Sequence, residues 1–301
     1  MSLNIFDHYA DRIIHPPAWM FNGGLQYVTL MGSQAYAVSS DNSDNDYYGF
    51  AIPPREFIFP SQFGEIEGFG TPLPRFEQWS EHHIINPRKP DITNDYAIYN
   101  ITKYFHLCMD CNPNMIDSLY TPERCVQYCS PIARRVREKR NIFLHKGSWH
   151  RFRGYAYSQI AKIKNKTNST NPKRKESIEK FGYDVKYGYH LTRLLLEVEQ
   201  ILQEHTIDLE RSNEVLKSIR RGEWTLEYLL EWFKKKETSL EEVYSSSTLR
   251  VCPDEKEIKS LLMECLEEYY GNLQCANLEE NELISRLKSK LDTIKSIANS
   301  L

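Results

Sequence analysis

Two β-rich segments frame the stretch that most constrains this chain. Leu25-Gln-Tyr-Val-Thr-Leu-Met31 runs directly into Gly32-Ser33, and Tyr47-Tyr-Gly-Phe-Ala-Ile52 follows Asp44-Asn-Asp46. Side chains two apart on a strand project to one face, so Asp44 and Asp46 enter the second strand together. Like charges that close are costly unless a cation lies between them, and hard oxygen ligands suit Mg²⁺ or Mn²⁺ bridging to phosphates. Gly32 lets backbone approach an anion. Ser33, if it opens a helix, offers a hydroxyl and the N–H groups of a helix N-terminus. Asp95, in the β-like run Asp95-Tyr-Ala-Ile-Tyr-Asn-Ile101, is the natural third carboxylate; it would hold a second metal and accept a proton from an attacking hydroxyl. Asp-x-Asp alone is common in turns; the ordered set of Gly-Ser, Asp-x-Asp and a later strand Asp says much more.

The rest of the chain divides around that unit. Residues 1–24 read as an irregular or helical lead-in broken at His15-Pro-Pro, and residues 60–90, rich in Gly, Pro and aromatics, as a long irregular connection. After Asn112-Pro113-Asn114 the pattern turns helical. Tyr183–Gln203 is the clearest helix, with Leu191, Leu194, Leu195, Val198, Ile201 and Leu202 at helical spacing. Helices are also expected over Glu223–Lys236, Glu255–Tyr270 and Leu283–Leu301, and a polar basic loop over Lys162–Lys180. The expected architecture is α+β: an α/β part over residues 1–130, then an all-helical part over 131–301.

No apolar run approaches the ~18–20 residues of a membrane span, and no secretory signal is evident, so a cytoplasmic protein is expected. Seven cysteines without dense spacing fit reduced thiols. Cys108/Cys111 and Cys125/Cys129 form only loose pairs, which favours buried thiols over a zinc site. The net charge of −3 hides a strong asymmetry. Residues 134–193 carry 17 basic and 4 acidic side chains, while the segments on either side each sum to −8. Such a block suits polyphosphate or nucleic acid; solvated helix faces account for it equally well.

The run Met31-Gly-Ser-Gln-Ala-Tyr-Ala-Val-Ser-Ser-Asp-Asn-Ser-Asp-Asn-Asp-Tyr-Tyr-Gly49 resembles the signature of the DNA polymerase β-like nucleotidyltransferase superfamily, more narrowly its bacterial and phage "predicted nucleotidyltransferase" branch. The similarity continues through Asp95-Tyr-Ala-Ile-Tyr-Asn-Ile-Thr-Lys-Tyr-Phe, Asn112-Pro-Asn-Met, Phe152-Arg-Gly-Tyr-Ala-Tyr-Ser-Gln and Phe181-Gly-Tyr-Asp-Val-Lys-Tyr-Gly-Tyr-His-Leu-Thr-Arg-Leu-Leu to Ile219-Arg-Arg-Gly-Glu, spanning about residues 25 to 225. It implies a mixed sheet flanked by helices, followed by a helical domain. It also implies metal-dependent transfer of a nucleoside monophosphate from an NTP to an acceptor hydroxyl. By position, Gly32 and Ser33 would hold the triphosphate, and Asp44, Asp46 and Asp95 the metals. One departure is Ala37, where relatives often have Gly.

In the helical half, Lys186, His190 and Arg193 fall at i, i+4 and i+7, opposite the leucines, on a face able to meet triphosphate or acceptor. A solvated polar face with a packed histidine is the plainer account. Asp184 is expected to cap this helix rather than bind metal. Tyr155 and Tyr157 suit base stacking as well as core packing. His82-His83 falls in the long connection, as a gating loop or a solvated pair, and Asp41 reads as a turn residue. The acceptor stays open between RNA bound through the 134–193 block, a protein or a small molecule; a non-catalytic nucleotide sensor is the remaining alternative.

Overall fold

The computed structural model describes residues 5–39, 43–59, 75–86, 89–165, 172–271 and 290–291. The expected helix over 283–301 and Asp41 fall largely or wholly outside them. A short helix α1 (Ile5–Ala10) leads to strand β1 (Leu25–Leu30), five of whose six residues are buried. A strand covered on both faces reads as a continuous apolar run, which is why this segment was legible. Strand β2 (Asn45–Ala51) pairs antiparallel with β1, and Gly49 is obligatory in it: a Cβ there would run into the Tyr27 carbonyl. A turn of helix α2 (Arg55–Ile58) follows. Strands β3 (Gln78–Asn86) and β4 (Lys89–Asn100) then form an antiparallel pair.

Strand β3 corrects the expected irregular connection. Its alternation is interrupted at His82-His83 by a bulge with His83 at φ +56, so no clean period of two shows in the sequence. Strand β4 runs parallel to β2, with Asp95 in register with Asp46. Helix α3 (Ile101–Met109) starts at once, because the Asn100 side chain accepts the Thr102 N–H at 2.9 Å. Helix α4 (Pro113–Tyr120) is capped in the same way by Asn112. A second correction comes next: the chain returns to the sheet as β5 (Val126–Cys129) beside β1, giving the order β3-β4-β2-β1-β5.

Beyond it lie α5 (Pro131–Glu138), α6 (Ser148–Lys164), α7 (Pro172–Phe181), α8 (Val185–Glu204), α9 (Asn213–Arg220), α10 (Leu226–Ser246) and α11 (Glu255–Tyr270). Helix occupies both ends of the expected basic loop over 162–180. Helix α8 is the buried axis of this half, and Asp184 caps it by accepting the Lys186 N–H at 2.9 Å, as expected.

One apolar cluster joins Tyr27, Phe50 and Tyr104 of the sheet half to Leu191, Leu229 and Leu261 of the helices. A second, on the opposite face of the sheet, packs Ile5, Met20 and Val28 around stacked Tyr47 and Tyr96. Cys108, Cys111 and Cys125 are buried, and burial pushes the Cys111 thiol up to about 12, as packed thiols should behave. Among the described residues no helix is long and apolar enough to cross a membrane.

Candidate active site

A cleft of about 560 Å³ opens between the β1–β2 edge and helices α7 to α9. Gly32, Ser33, Asp44, Asp46, Lys186, His190 and Arg193 all line it, although they lie up to 161 positions apart in sequence. Asp95 is not in the lining; it stands beside Asp46 on the adjacent strand.

The sheet wall is acidic. Strand pairing puts Asp44, Asp46, Thr93 and Asp95 on one face, with Asn45 and Asn94 on the other, joined by a 3.1 Å side-chain bond. Asp44 accepts the Thr93 hydroxyl at 2.8 Å. Asp95 accepts the His83 N–H at 2.6 Å, and the His82 ring lies 3.7 Å away. The bulge in β3 therefore turns a backbone donor onto Asp95, a role that the sequence did not disclose. Burial pushes the Asp46 carboxyl up to about 6, with Asp95 and then Asp44 adding to the rise and Lys186 opposing it. Among the described residues no three His, Cys, Asp or Glu side chains are already gathered round one point. The three carboxylates nonetheless fit a hard divalent cation by donor type and by the like-charge strain at Asp46.

The Gly32–Val38 segment forms the floor. Gly32 has φ +63, and a Cβ there would come within 2.5 Å of Asp46 Oδ2, so only glycine lets backbone pass this carboxylate. The Met31 N–H donates to the Asp46 carbonyl at 2.7 Å, locking the two pieces together. Residues 32–37 form successive turns rather than a helix, so Ser33 opens no helix; any anion held here meets loop N–H groups. Ala37 adopts φ +53, a left-handed conformation in which glycine is strain-free.

Three arginines from outside the segment hold it. Arg124 donates to the Gln34 carbonyl at 3.0 Å, Arg220 to the Val38 carbonyl at 2.6 Å, and Arg193 to the Tyr36 hydroxyl at 2.6 Å. Arg193, expected on a face that meets triphosphate or acceptor, lines the cleft but is not a free cation. It is buried, paired with Asp117 of α4, and 3.1 Å from both oxygens of Glu197. With two carboxylates against one guanidinium, burial raises the pKa of both acids. The charge of Arg193 is thus matched within the protein, and this side chain is a strut under the loop. Glu197 sits one helical turn from Arg193, whereas Asp117 comes from 76 positions away.

The helical wall is mainly cationic, with Asp184 the acidic member, 3.9 Å from Arg174. Lys186 is exposed, Arg174 contacts the Tyr187 hydroxyl, and Arg220 lies beside Tyr189. Arg174 and Arg220 join the lining although sequence reasoning singled out neither; Arg220 sat unremarked in Ile219-Arg-Arg-Gly-Glu. His190 is held well below its ordinary pKa by burial and then by Arg193, Lys186, Arg220 and Lys162, so the ring is neutral at pH 7. Much of the basic block is matched elsewhere, by Arg135–Glu268, Lys139–Glu264 and Arg153 with Glu237 and Glu241.

A search of curated proteins returns no match. Among solved structures, a nucleotidyltransferase-like protein from Exiguobacterium sibiricum aligns over 86% of this chain and 77% of its own, at 9% identity and TM-score 0.28, a likeness too remote to bear on the site. The model of RlaP, the RNA repair pathway DNA polymerase beta family, matches residues 17–251. With the mixed sheet, the Gly-Ser turn and the paired aspartates all inside that span, the chain belongs to the RNA repair pathway DNA polymerase beta family and is a polymerase β-like nucleotidyltransferase.

Proposed function

We propose that this protein moves a nucleoside monophosphate from an NTP to a hydroxyl of RNA, releasing pyrophosphate. The observation that carries the reading is the opposition of charges across one cleft: Asp44 and Asp46, backed by Asp95, face Lys186, Arg174 and Arg220. An NTP with divalent metal is a ligand whose two ends need those two walls. RNA as acceptor rests on the family description and on the basic segment 134–193.

Asp44, Asp46 and Asp95 would hold Mg²⁺ or Mn²⁺, which when bound would polarise the phosphoryl group and offset its negative charge. Gly32 and Ser33 offer backbone N–H groups and a hydroxyl to phosphate oxygens. Lys186, Arg174 and Arg220 balance the charge gathering on the leaving pyrophosphate, and neutral His190 donates a hydrogen bond without adding charge. Asp95, oriented by the His83 N–H, accepts the proton of the attacking hydroxyl. The new bond joins acceptor oxygen to the α-phosphorus while the α–β anhydride bond breaks, its electron pair leaving with pyrophosphate. Catalysis here is positioning and charge stabilisation.

The test is incubation with each α-³²P-labelled NTP, Mg²⁺ or Mn²⁺, and cellular RNA plus protein extract. Label on RNA that disappears in Asp44→Asn is the expected result. Label confined to protein, or to a small molecule, would replace the acceptor. NTP binding with no transfer to any fraction would point to a nucleotide sensor and overturn the catalytic reading.

A further inference from the structure

Helix α6 presents two unlike flanks on either side of its buried stripe of Trp149, Phe152, Ala156, Ile160 and Ile163. On one flank Arg153 and Tyr157 both bond to Glu237 of α10 at 2.7 Å, so the cation there is matched by a carboxylate although the Tyr157 ring is 45% exposed. The other flank carries Arg151, Tyr155, Ser158 and Lys162 at i, i+4, i+7 and i+11, all exposed. No acidic residue occurs anywhere in α6.

None of these four lines the cleft, but neighbouring residues connect the flank to its lining. At one end Lys162 lies 5.5 Å from the centre of the Tyr187 ring, and its charge reaches His190 in the cleft wall. Midway, Tyr155 is 41% exposed, and its hydroxyl accepts Asn112 Nδ2 at 3.2 Å, two residues before Asn114 of the cleft lining. Tyr155 also stands close enough to Tyr99 to add to the upward push that burial gives that phenol. Tyr99 in turn lies 6.5 Å, ring to ring, from Tyr48, which lines the cleft. A succession of tyrosines thus leads from the outer face of α6 to the carboxylates. At the far end Arg151 is more than half exposed and pairs with Asp110 at 3.3 Å. From Arg151 to Lys162 the helix extends about 16 Å.

Exposed aromatic surface between cations is what unpaired nucleotides require: a ring to stack on and positive charge along the backbone. We propose that this flank of α6 seats the single-stranded 3′ segment of the RNA acceptor, a base stacking on Tyr155 while phosphates meet Lys162 and Arg151, so that the terminal hydroxyl enters the cleft. The proposal rests on the RNA-acceptor reading above and assigns its binding surface.

The test measures binding of a short fluorescent single-stranded RNA to the full chain across a salt series, alongside transfer of labelled nucleotide to the same RNA. Tyr155→Ala should weaken RNA binding about tenfold or more while the KM for NTP stays unchanged, and Tyr155→Phe, which keeps the ring, should restore it. Lys162→Gln should lower the slope of log affinity against log salt by about 0.7. Lys235→Gln, exposed on α10, paired with Glu231 and outside the cleft lining, should change neither. A duplex of the same sequence should bind more weakly, since its bases are not free to stack. If the wild type labels RNA but Tyr155→Ala binds it as tightly, or if Tyr155→Phe is as weak as Ala, the α6 assignment is wrong and RNA transfer stands. Equal binding of duplex and single strand also overturns the assignment. If the wild type neither binds nor labels RNA, the acceptor reading itself has failed.

Discussion

Asp46→Asn preserves the size of the side chain and removes a charge that the fold carries at a cost. In the folded chain the carboxyl titrates at about 6, against an ordinary value of 3.8, because burial and the neighbouring Asp95 disfavour its ionised form. At about 1.4 kcal/mol per pH unit, that rise corresponds to about 3 kcal/mol. The folded state binds the proton more tightly than the unfolded state does. The stabilisation is therefore fully present below pH 3.8 and lost as the pH rises through about 6. At pH 8 the Asn variant should exceed the wild type by about 3 kcal/mol, or about 5 °C in melting temperature for a chain of this size. At pH 4.5 the gap should shrink to about 1 kcal/mol, since the wild-type carboxyl is then mostly protonated in the folded state. The assay is a pair of thermal melts at each pH in EDTA, repeated with Mg²⁺, and a turnover measurement. Under the proposed function the variant is inactive, and Mg²⁺ narrows the gap by stabilising only the wild type. A variant no more stable than wild type at pH 8, or equally favoured at both pH values, would refute the electrostatic argument.

Four other substitutions separate the parts of the site. Gly32→Ala places a methyl against Asp46 Oδ2 at φ +63; melts should show a loss of about 1–2 kcal/mol, and nucleotide labelling should collapse. Ala37→Gly releases a left-handed alanine and should raise stability by about 0.5–1 kcal/mol, read by denaturant midpoint at unchanged slope. Arg193→Ala leaves two buried carboxylates facing each other, and chemical unfolding should show a loss of about 3–5 kcal/mol. Lys186→Met should do the reverse, raising the KM for NTP while moving the unfolding midpoint by less than about 0.5 kcal/mol, because its side chain is exposed.

What the sequence disclosed follows from how local each signal is. Strands β1 and β2 announced themselves as apolar runs ending at Gly32 and starting after Asp46, and α8 through the period of its leucines. Strand β3 did not, because the bulge at His82-His83 breaks its alternation, and β5 is only four residues long. Lys186 and His190, chosen from helical spacing, do line the cleft with Asp44 and Asp46. Arg193 had the same spacing signal but a different setting. Its buried partner Asp117 comes from another helix, and no short-range pattern reports a tertiary neighbour. The turns after Ser33 replaced an expected helix for a similar reason, since their shape depends on arginines 124, 193 and 220 reaching in from elsewhere.

Those three arginines grip the Gly32–Val38 segment unequally, and the difference bears on how the protein tolerates change. Arg124 and Arg220 hold backbone carbonyls, which every residue supplies, so positions 34 and 38 are free to vary as far as these contacts are concerned. The donors have no such latitude. A shorter or neutral side chain at 124 or 220 cannot be rescued by any replacement at the position it grips. In a saturation screen for activity, intolerance should therefore appear at 124 and 220, remote in sequence from the glycine turn they serve, while the gripped position 34 looks permissive. Position 36 alone should behave as a matched pair with 193, because there the contact runs between two side chains.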